Sequence, residues 1–397
     1  MLTQHQKTIV SATVPLLETG GEALTTHFYR ILLAEHPEVR PLFNQANQAS
    51  GEQPRALANG VLMYAKNIDR LEALGPLASQ IINKHVALQV QPEHYPIVGA
   101  CLLRAIREVL GSQIATDEVI AAWAAAYGQL ADLLIGAETK LYDEKAAAPG
   151  GWRGGRIFHV VRKEVESDEI TSFYFAPVDG QPVLDFKPGQ YIGLRLTVNG
   201  EDVRRNYSLS AAPNGHGYRI SVKRQHGGVV SNHLHDCVGV GSSVELFPPS
   251  GEFTLDESDK PLVLISGGVG ITPTLAMLEA ALKTSRTVHF IHCARDRGVH
   301  AFRHAVDALA RKHPRLSRFY CYDEAGETPA GDTAPHAVGR LDEQRLAQWL
   351  PSATRDVDAY FLGPKPFMQQ VRRSLRKLGV PDGQMRYEFF GPASALE

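Results

Sequence analysis

The sequence predicts three folds in succession: an all-α domain, an antiparallel β-barrel and an α/β domain around a parallel sheet. Up to about Lys145, apolar residues recur at helical spacing and strand signals are absent. After a small, Pro/Gly-rich segment at 146–152, short β-rich runs at 157–161, 171–175 and 218–222 are separated by Gly and Pro turns. From Pro261 onward, apolar strands at 262–265, 288–291, 318–322 and 359–362 alternate with helical stretches at 273–282, 301–310, 343–350 and 366–378. That alternation marks βαβ units. The expected division is therefore 1–145, a linker over 146–152, then 153–260 and 261–397.

The 397 residues suffice for several domains, and 44% apolar with 21% charged residues lets each bury an ordinary core. A formal net charge of -2, with no long run of one sign, argues against a nucleic-acid or membrane-surface partner. The first residues read as one amphipathic helix with Ile9, Val10, Thr13, Leu16 and Leu17 on one side, not as a signal peptide. No stretch approaches the roughly 18 apolar residues of a membrane span. The expectation is a cytoplasmic protein without integral membrane association. Cys101, Cys237, Cys293 and Cys321 lie far apart in sequence, form no C-x-x-C pair and read as buried or incidental thiols.

Within the helical third, Ile81-Ile82-Asn83-Lys84-His85-Val86-Ala87-Leu88 places His85 on the arc of Ile81, Ile82 and Leu88, aiming the imidazole inward. An inward histidine is either a hydrogen-bonded core residue or a metal ligand. The last helix, capped by Thr116, carries the stripe Trp123, Tyr127, Leu130, Leu134, Glu138, Leu141. A carboxylate in that stripe is costly unless paired. Glu138 either turns to the edge and is solvated, or accepts the Nδ1 proton of His85 and leaves Nε2 for a metal. Tyr29, Phe43 after Pro37 and Pro41, Gln53 and Leu57 at the opening of a further helix, and Tyr95 on a helix begun at Pro92 also fit a cofactor pocket.

In the middle third, Phe186-Lys187-Pro188-Gly189-Gln190-Tyr191 is a turn feeding a strand that can present Tyr191 on one face. Arg205-Asn206-Tyr207-Ser208 follows, an R-x-Y-S pattern that resembles the flavin barrels of ferredoxin-reductase-like proteins. FAD carries a pyrophosphate and a flat ring, so a guanidinium, an aromatic and a small hydroxyl are useful together. Gly227-Gly228-Val229-Val230-Ser231 runs into a short helix whose N-terminal amides suit a phosphate, or simply cap a loop. The last third opens on a strand and the turn Gly267-Gly268-Val269-Gly270-Ile271-Thr272-Pro273, with Pro273 starting the next helix. This is not G-x-G-x-x-G, but it is similar to the G-G-x-G-x-T-P turn of the same reductases, where glycines let the backbone approach a pyrophosphate. Arg295 would favour a 2′-phosphate and Asp296 a ribose diol, so NADH and NADPH both stay open.

Over the whole chain, the order Tyr29, His36-Pro37, Phe43, Gln53, Leu57, Lys84-His85, Tyr95, Glu138, followed by the reductase motifs, resembles the flavohaemoglobin family. The resemblance implies a globin holding haem b, fused to an FAD barrel and an NAD(P)-binding domain. It makes His85 the proximal iron ligand, with Tyr95 and Glu138 hydrogen-bonded around it. An electron-rich imidazole there favours activation of oxygen over its storage. Tyr29 and Gln53 would line the distal side, Tyr29 as hydrogen-bond donor to bound oxygen. Phe43 would wedge against the porphyrin, Leu57 would limit distal space, and Lys84 and Glu388 would tune the redox groups.

The same resemblance assigns FAD to Tyr191, Arg205, Asn206, Tyr207, Ser208, Val230, Ser231 and Phe390. Arg205 would meet the pyrophosphate, Tyr207 the ring and Ser208 its edge, while Phe390, in a last buried strand, would cover the flavin face. It assigns the nicotinamide nucleotide to Gly268, Val269, Gly270, Ile271, Thr272 and Pro273. The implied activity is NAD(P)H-dependent conversion of nitric oxide and oxygen to nitrate, with small molecules as partners and no obligatory protein partner. Hydroperoxide or oxygen reduction on the same electron path, or oxygen or nitric oxide sensing, are alternatives; the fused reductase disfavours the sensor. One departure stands out: the family's Cys-Gly-Pro is Leu362-Gly363-Pro364 here, which bears on the rate of hydride transfer.

Overall fold

The computed structural model describes residues 2–43, 48, 51–324, 326, 334–391 and 396. The first part is helical: α1 (Gln4–Ala12), α2 (Val14–Glu35), α3 (Glu52–Lys66), α4 (Gly75–Leu88), α5 (His94–Leu110) and α6 (Asp117–Ala147). Thr3 and Gln6 cap α1 reciprocally, and the Thr116 hydroxyl accepts the Val119 N–H at the start of α6. The expected single N-terminal helix is broken at Thr13, because Pro15 has no N–H to continue it and serves the first turn of α2 instead. Likewise α5 begins at His94 and not at Pro92. The core brings Leu24, Phe28 and Leu32 of α2 against Tyr64, Leu102, Ile106 and Trp123. Tyr64 spends its hydroxyl on the Ala126 carbonyl at 2.9 Å, so its burial leaves no polar group stranded.

Contrary to the reading of the sequence, α6 is by length and composition apolar enough to cross a membrane. In the structure it packs on α1, α4 and α5. It also runs two residues into the expected linker, to Ala147. Trp152, at that segment's end, belongs to the barrel: it packs on Phe158 and Tyr218 and donates to the Leu246 carbonyl at 3.3 Å.

The barrel comprises β1 (Arg156–Val165), β2 (Ile170–Pro177), β3 (Tyr191–Val198), β4 (Glu201–Ser208), β5 (Tyr218–Lys223) and β6 (Ser243–Leu246). They are antiparallel in the order β4-β3-β6-β1-β2-β5. Leu209, just past β4, bridges to Ile220 of β5, so the sheet curls back on itself. Alternate residues Phe158 and Val160, Phe173 and Phe175, Ile192 and Leu194 fill it, and α7 (Val229–Cys237) plugs one side with Val230 and Leu234.

The last part is a parallel sheet, β7 (Leu262–Gly267), β8 (Val288–Ala294), β9 (Leu316–Tyr322), β10 (Ala337–Val338), β11 (Asp358–Leu362) and β12 (Met385–Tyr387), in the order β10-β9-β8-β7-β11-β12. Leu262 and Leu264 face α8 (Ile271–Ala281) and α9 (Arg303–Lys312), while Val263 and Ile265 face α10 (Glu343–Trp349) and α11 (Lys365–Lys377). Both faces being covered explains the unbroken apolar strands. β12, expected as a buried strand, is only half-buried at the sheet edge. Cys293 and Cys321, distant in sequence, are register partners on β8 and β9 with hydrogen-bonded thiols.

Candidate functional site

Three helices converge on His85. α4 carries the imidazole, α5 carries Tyr95 and α6 carries Glu138. His85 Nδ1 lies 2.7 Å from Glu138 Oε1, and the Tyr95 hydroxyl donates to the same oxygen at 2.7 Å. Tyr95 also approaches Nδ1 at 3.2 Å. Glu138 is only 3% exposed, so it is paired and not solvated. Tyr95 is itself fixed: the Tyr127 hydroxyl donates to its carbonyl at 2.6 Å, and Tyr127 reaches it over Gly99, where a Cβ would lie 2.5 Å from the ring. Burial and the Glu138 carboxylate push the Tyr95 pKa far up, which keeps its proton in place. With Nδ1 committed, Nε2 is the free donor atom on a side chain left 32% exposed. An imidazole backed by a carboxylate is a metal-ligand arrangement.

A second group lies on α2, α3 and the turn between them. The Tyr29 and Phe43 rings meet edge-on at 5.5 Å. Burial raises the Tyr29 pKa strongly, opposed by a hydrogen bond from the Gln53 side chain. Gln53 Oε1 is buried without a partner among the described residues. Phe43 and Leu57 pack on the helical core beside Val61, Ile97 and Val98, and each is only half-buried. An apolar wall, a buried hydroxyl, an unmatched amide oxygen and a carboxylate-backed imidazole together suit a flat apolar macrocycle carrying iron. The residues fit haem.

On the barrel, Tyr191 and Ser208 are register partners on β3 and β4, and Arg205, Asn206 and Tyr207 precede Ser208. Tyr207 and Tyr191 are buried enough to raise both phenols, and burial lowers Arg205. Asn206 Oδ1 is buried and unmatched among the described residues. Val230 is buried, and Ser231 Oγ accepts the Gln225 N–H at 3.1 Å, leaving its own proton to donate. A cationic, aromatic and hydroxyl set with an orphaned amide oxygen fits a flavin dinucleotide. Phe390 is 52% exposed, a ring with one open face.

Between the two groups, Lys84 of α4 donates to the Gly391 carbonyl at 2.5 Å and faces Glu388. Burial pushes Glu388 up to about 7, against the opposing pull of Lys84, whose own pKa burial lowers.

In the α/β part, Gly268–Gly270 forms a single 3-10 turn and α8 starts at Ile271, two residues before the expected Pro273. Gly268 has φ +55, and a Cβ on Gly270 would meet the Leu362 carbonyl at 2.4 Å. Ile271, Thr272 and Pro273 bury their side chains, so what this turn presents to a ligand is backbone N–H. Leu362 is 1% exposed and packs in the sheet core. Arg295 is ion-paired to Glu169, and Asp296 accepts the Val299 N–H at 3.2 Å.

The globin family matches residues 26–134, the oxidoreductase FAD-binding domain 158–255 and the oxidoreductase NAD-binding domain 264–373. The flavohemoprotein of Pseudomonas putida is 69% identical over 397 residues, covering 100% of both chains. This chain belongs to the flavohemoprotein family. The Pseudomonas aeruginosa flavohemoprotein is 66% identical over the same 100% of each chain. Among solved structures, the flavohemoglobin of Malassezia yamatoensis with bound FAD and heme aligns with a TM-score of 0.85 at 27% identity, covering 98% of this chain and 100% of that one. The FAD/NAD-binding domain of a nitric oxide dioxygenase from Vibrio cholerae aligns at 0.54 and 39% identity over 60% of this chain and 100% of that one. As a flavohemoprotein with these three domains, the chain is an oxidoreductase whose cofactors are haem, FAD and a nicotinamide nucleotide.

What the sequence reading missed is the back of α4. Asn83, Ala87 and Leu88 contact the barrel through Gly251, Gly193 and Arg204. The i, i+4 spacing of Ser79, Asn83 and Ala87 was the available signal.

Proposed function

We propose that this flavohemoprotein is an NAD(P)H-dependent nitric oxide dioxygenase that converts nitric oxide and oxygen to nitrate. The observation that carries the reading is the single Glu138 oxygen accepting from both Tyr95 and His85 at 2.7 Å, with His85 on α4, the helix docked against the flavin barrel. When bound, the nicotinamide supplies a hydride, the FAD splits it into single electrons and the haem offers a reducible iron. The relation to a Vibrio cholerae domain named for nitric oxide dioxygenase supports the same reading.

In this reading His85 Nε2 holds the iron, and Glu138 draws on the Nδ1 proton so that the imidazole carries more negative charge. Tyr95 fixes the carboxylate. Tyr29 carries its proton at neutral pH as an ordinary phenol does, burial raises its pKa further, and it is a ready donor to a polar diatomic molecule in the pocket. Gln53 orients that hydroxyl, while Phe43 and Leu57 exclude water. On the barrel, Tyr191, Arg205, Asn206, Tyr207, Ser208, Val230 and Ser231 hold the flavin dinucleotide, with Phe390 as a removable cover. Backbone N–H groups of Gly268, Val269, Gly270, Ile271 and Thr272 hold the nicotinamide nucleotide, and Pro273, which has no N–H, sets the first turn of the helix behind them. Lys84 and Glu388 set the charge between the redox groups.

The balanced reaction takes two nitric oxide and two oxygen molecules with one NADH to two nitrates, NAD and a proton. The test is to supply nitric oxide and limiting NADH aerobically to the purified protein and to measure both products. Two nitrates per NADH oxidised is the expected result. NADH oxidation at the same rate without nitric oxide, with peroxide as product, would displace the dioxygenase reading in favour of oxygen reduction.

A further inference from the structure

The face of α4 opposite His85 is seated on the barrel. Ser79, Asn83 and Ala87 form a stripe at four-residue steps that runs from about 120° to about 200° around the helix from His85. Ser79 donates to Glu252, and Asn83 Oδ1 accepts the Gly251 N–H at 3.1 Å. The Ala87 carbonyl comes so close to Gly193 of β3 that a Cβ there would lie 2.1 Å from it. At the end of the helix, Arg204 donates to the Leu88 carbonyl at 2.6 Å. The last carbonyls of a helix lack internal partners, and a guanidinium also suits their partial negative charge.

Each end of this seam lies next to a group in the proposed flavin site. The Gly251 Cα lies against Tyr191, whose ring a Cβ would meet at 2.7 Å. Arg204 adjoins Arg205, which donates to the Arg204 carbonyl at 2.7 Å, and its guanidinium lies 5.5 Å from the Phe247 ring centre. The seam therefore fixes both ends of one path: the strand that presents the flavin residues, and the helix whose far face presents His85.

We propose that Asn83 and Arg204 are positioning residues for electron transfer, docking the back of the His85 helix on the flavin barrel and so setting the separation of the two redox sites. This rests on the reading that electrons pass from flavin to haem within the chain. Neither residue touches a proposed ligand atom; Arg204 acts through the Leu88 carbonyl of α4 and Asn83 through the Gly251 N–H of the barrel.

The test uses the full-length holoenzyme and its Asn83→Ala and Arg204→Met variants, mixed anaerobically with NADH and followed separately at the flavin and haem bands. Flavin reduction should keep its wild-type rate. Haem reduction should slow severalfold, because electron tunnelling weakens with each added ångström between the two sites. Amides of residues 86–90 should exchange hydrogen faster in both variants, a readout independent of turnover. Asn83→Asp keeps the acceptor and Arg204→Lys keeps a donor, so both should restore most of the rate. Unchanged haem reduction in the Ala and Met variants would overturn the proposal. So would loss of haem or flavin from the Asp and Lys variants, which would assign the residues to folding. A wild-type protein that never reduces its haem would overturn the proposed function and this inference with it, and that result appears before any substitution is made.

Discussion

Replacing Glu138 by Gln keeps the shape of the side chain and removes its charge. Glu138 is 3% exposed and receives two hydrogen bonds of 2.7 Å on one oxygen, from Tyr95 and from His85. A hydrogen bond to a charged acceptor is worth about 1.5–3 kcal/mol and one between neutral groups about 0.5–1.5 kcal/mol. The loss on the His85 bond is therefore about 1–1.5 kcal/mol. It falls on the oxidised iron, because the carboxylate enriches the imidazole and so favours the ferric over the ferrous state. A one-electron couple moves by about 59 mV for a tenfold change in equilibrium, or about 1.4 kcal/mol. The haem midpoint should accordingly rise by about 40–65 mV in Glu138→Gln, read by anaerobic spectroelectrochemical titration at the Soret band. A midpoint unchanged, or shifted downward, would refute the claim that Glu138 acts on the iron through His85.

Four further outcomes are expected. His85→Ala should lose the Soret band while retaining its full flavin absorbance; undiminished haem content would remove His85 as the ligand. Tyr29→Phe deletes one buried donor worth about 0.5–1.5 kcal/mol, so oxygen should leave about twofold to tenfold faster in flash photolysis, and an unaltered off-rate would contradict the distal role. Glu388, pushed up to about 7 from the usual 4.5, binds its proton more tightly in the folded state, with Lys84 and Tyr191 as its charged and titratable neighbours. Its contribution to stability is thus complete below about pH 4.5 and is lost as pH rises through about 7; Glu388→Gln should flatten that decline in urea midpoints, and an identical decline in both proteins would count against it. Gly270→Ala forces a Cβ toward the Leu362 carbonyl, 2.4 Å away. Such overpacking costs about 1–3 kcal/mol, so the variant should melt earlier and raise the KM for the nicotinamide nucleotide; no change in either would show that the turn tolerates the crowding.

The three folds were legible because their periodicities differ. The parallel strands carry continuous apolar runs, since both faces of that sheet are covered, while the helical part keeps its polar residues to one side. Where local chemistry competes, the pattern misled. Pro15 divides what looked like one N-terminal helix, and the glycine turn shifts the start of α8 to Ile271. At the site, the sequence placed Glu138 in an apolar stripe and left it either solvated or paired with His85, and only the resemblance put Tyr95 beside them; the packing of α4, α5 and α6 brings Tyr95 and His85 to one of the Glu138 oxygens. The docking seam was beyond local reading. Leu88 meets Arg204 across 116 residues, and Asn83 meets Gly251 across 168. The four-residue spacing of Ser79, Asn83 and Ala87 marks a second face on α4, but which surface that face meets depends on two distant segments fitting together. The Cys293 and Cys321 contact has the same origin, since the sheet and not the cysteine spacing sets their register.

The most direct test is anaerobic addition of NADH to the dilute purified protein, with flavin and haem followed together over a range of protein concentrations. Bleaching of the flavin should precede conversion of the haem to its ferrous form, at a rate that does not change with protein concentration. Haem that stays ferric while the flavin is reduced, or that is reduced only in proportion to protein concentration, would contradict an electron path built into one chain.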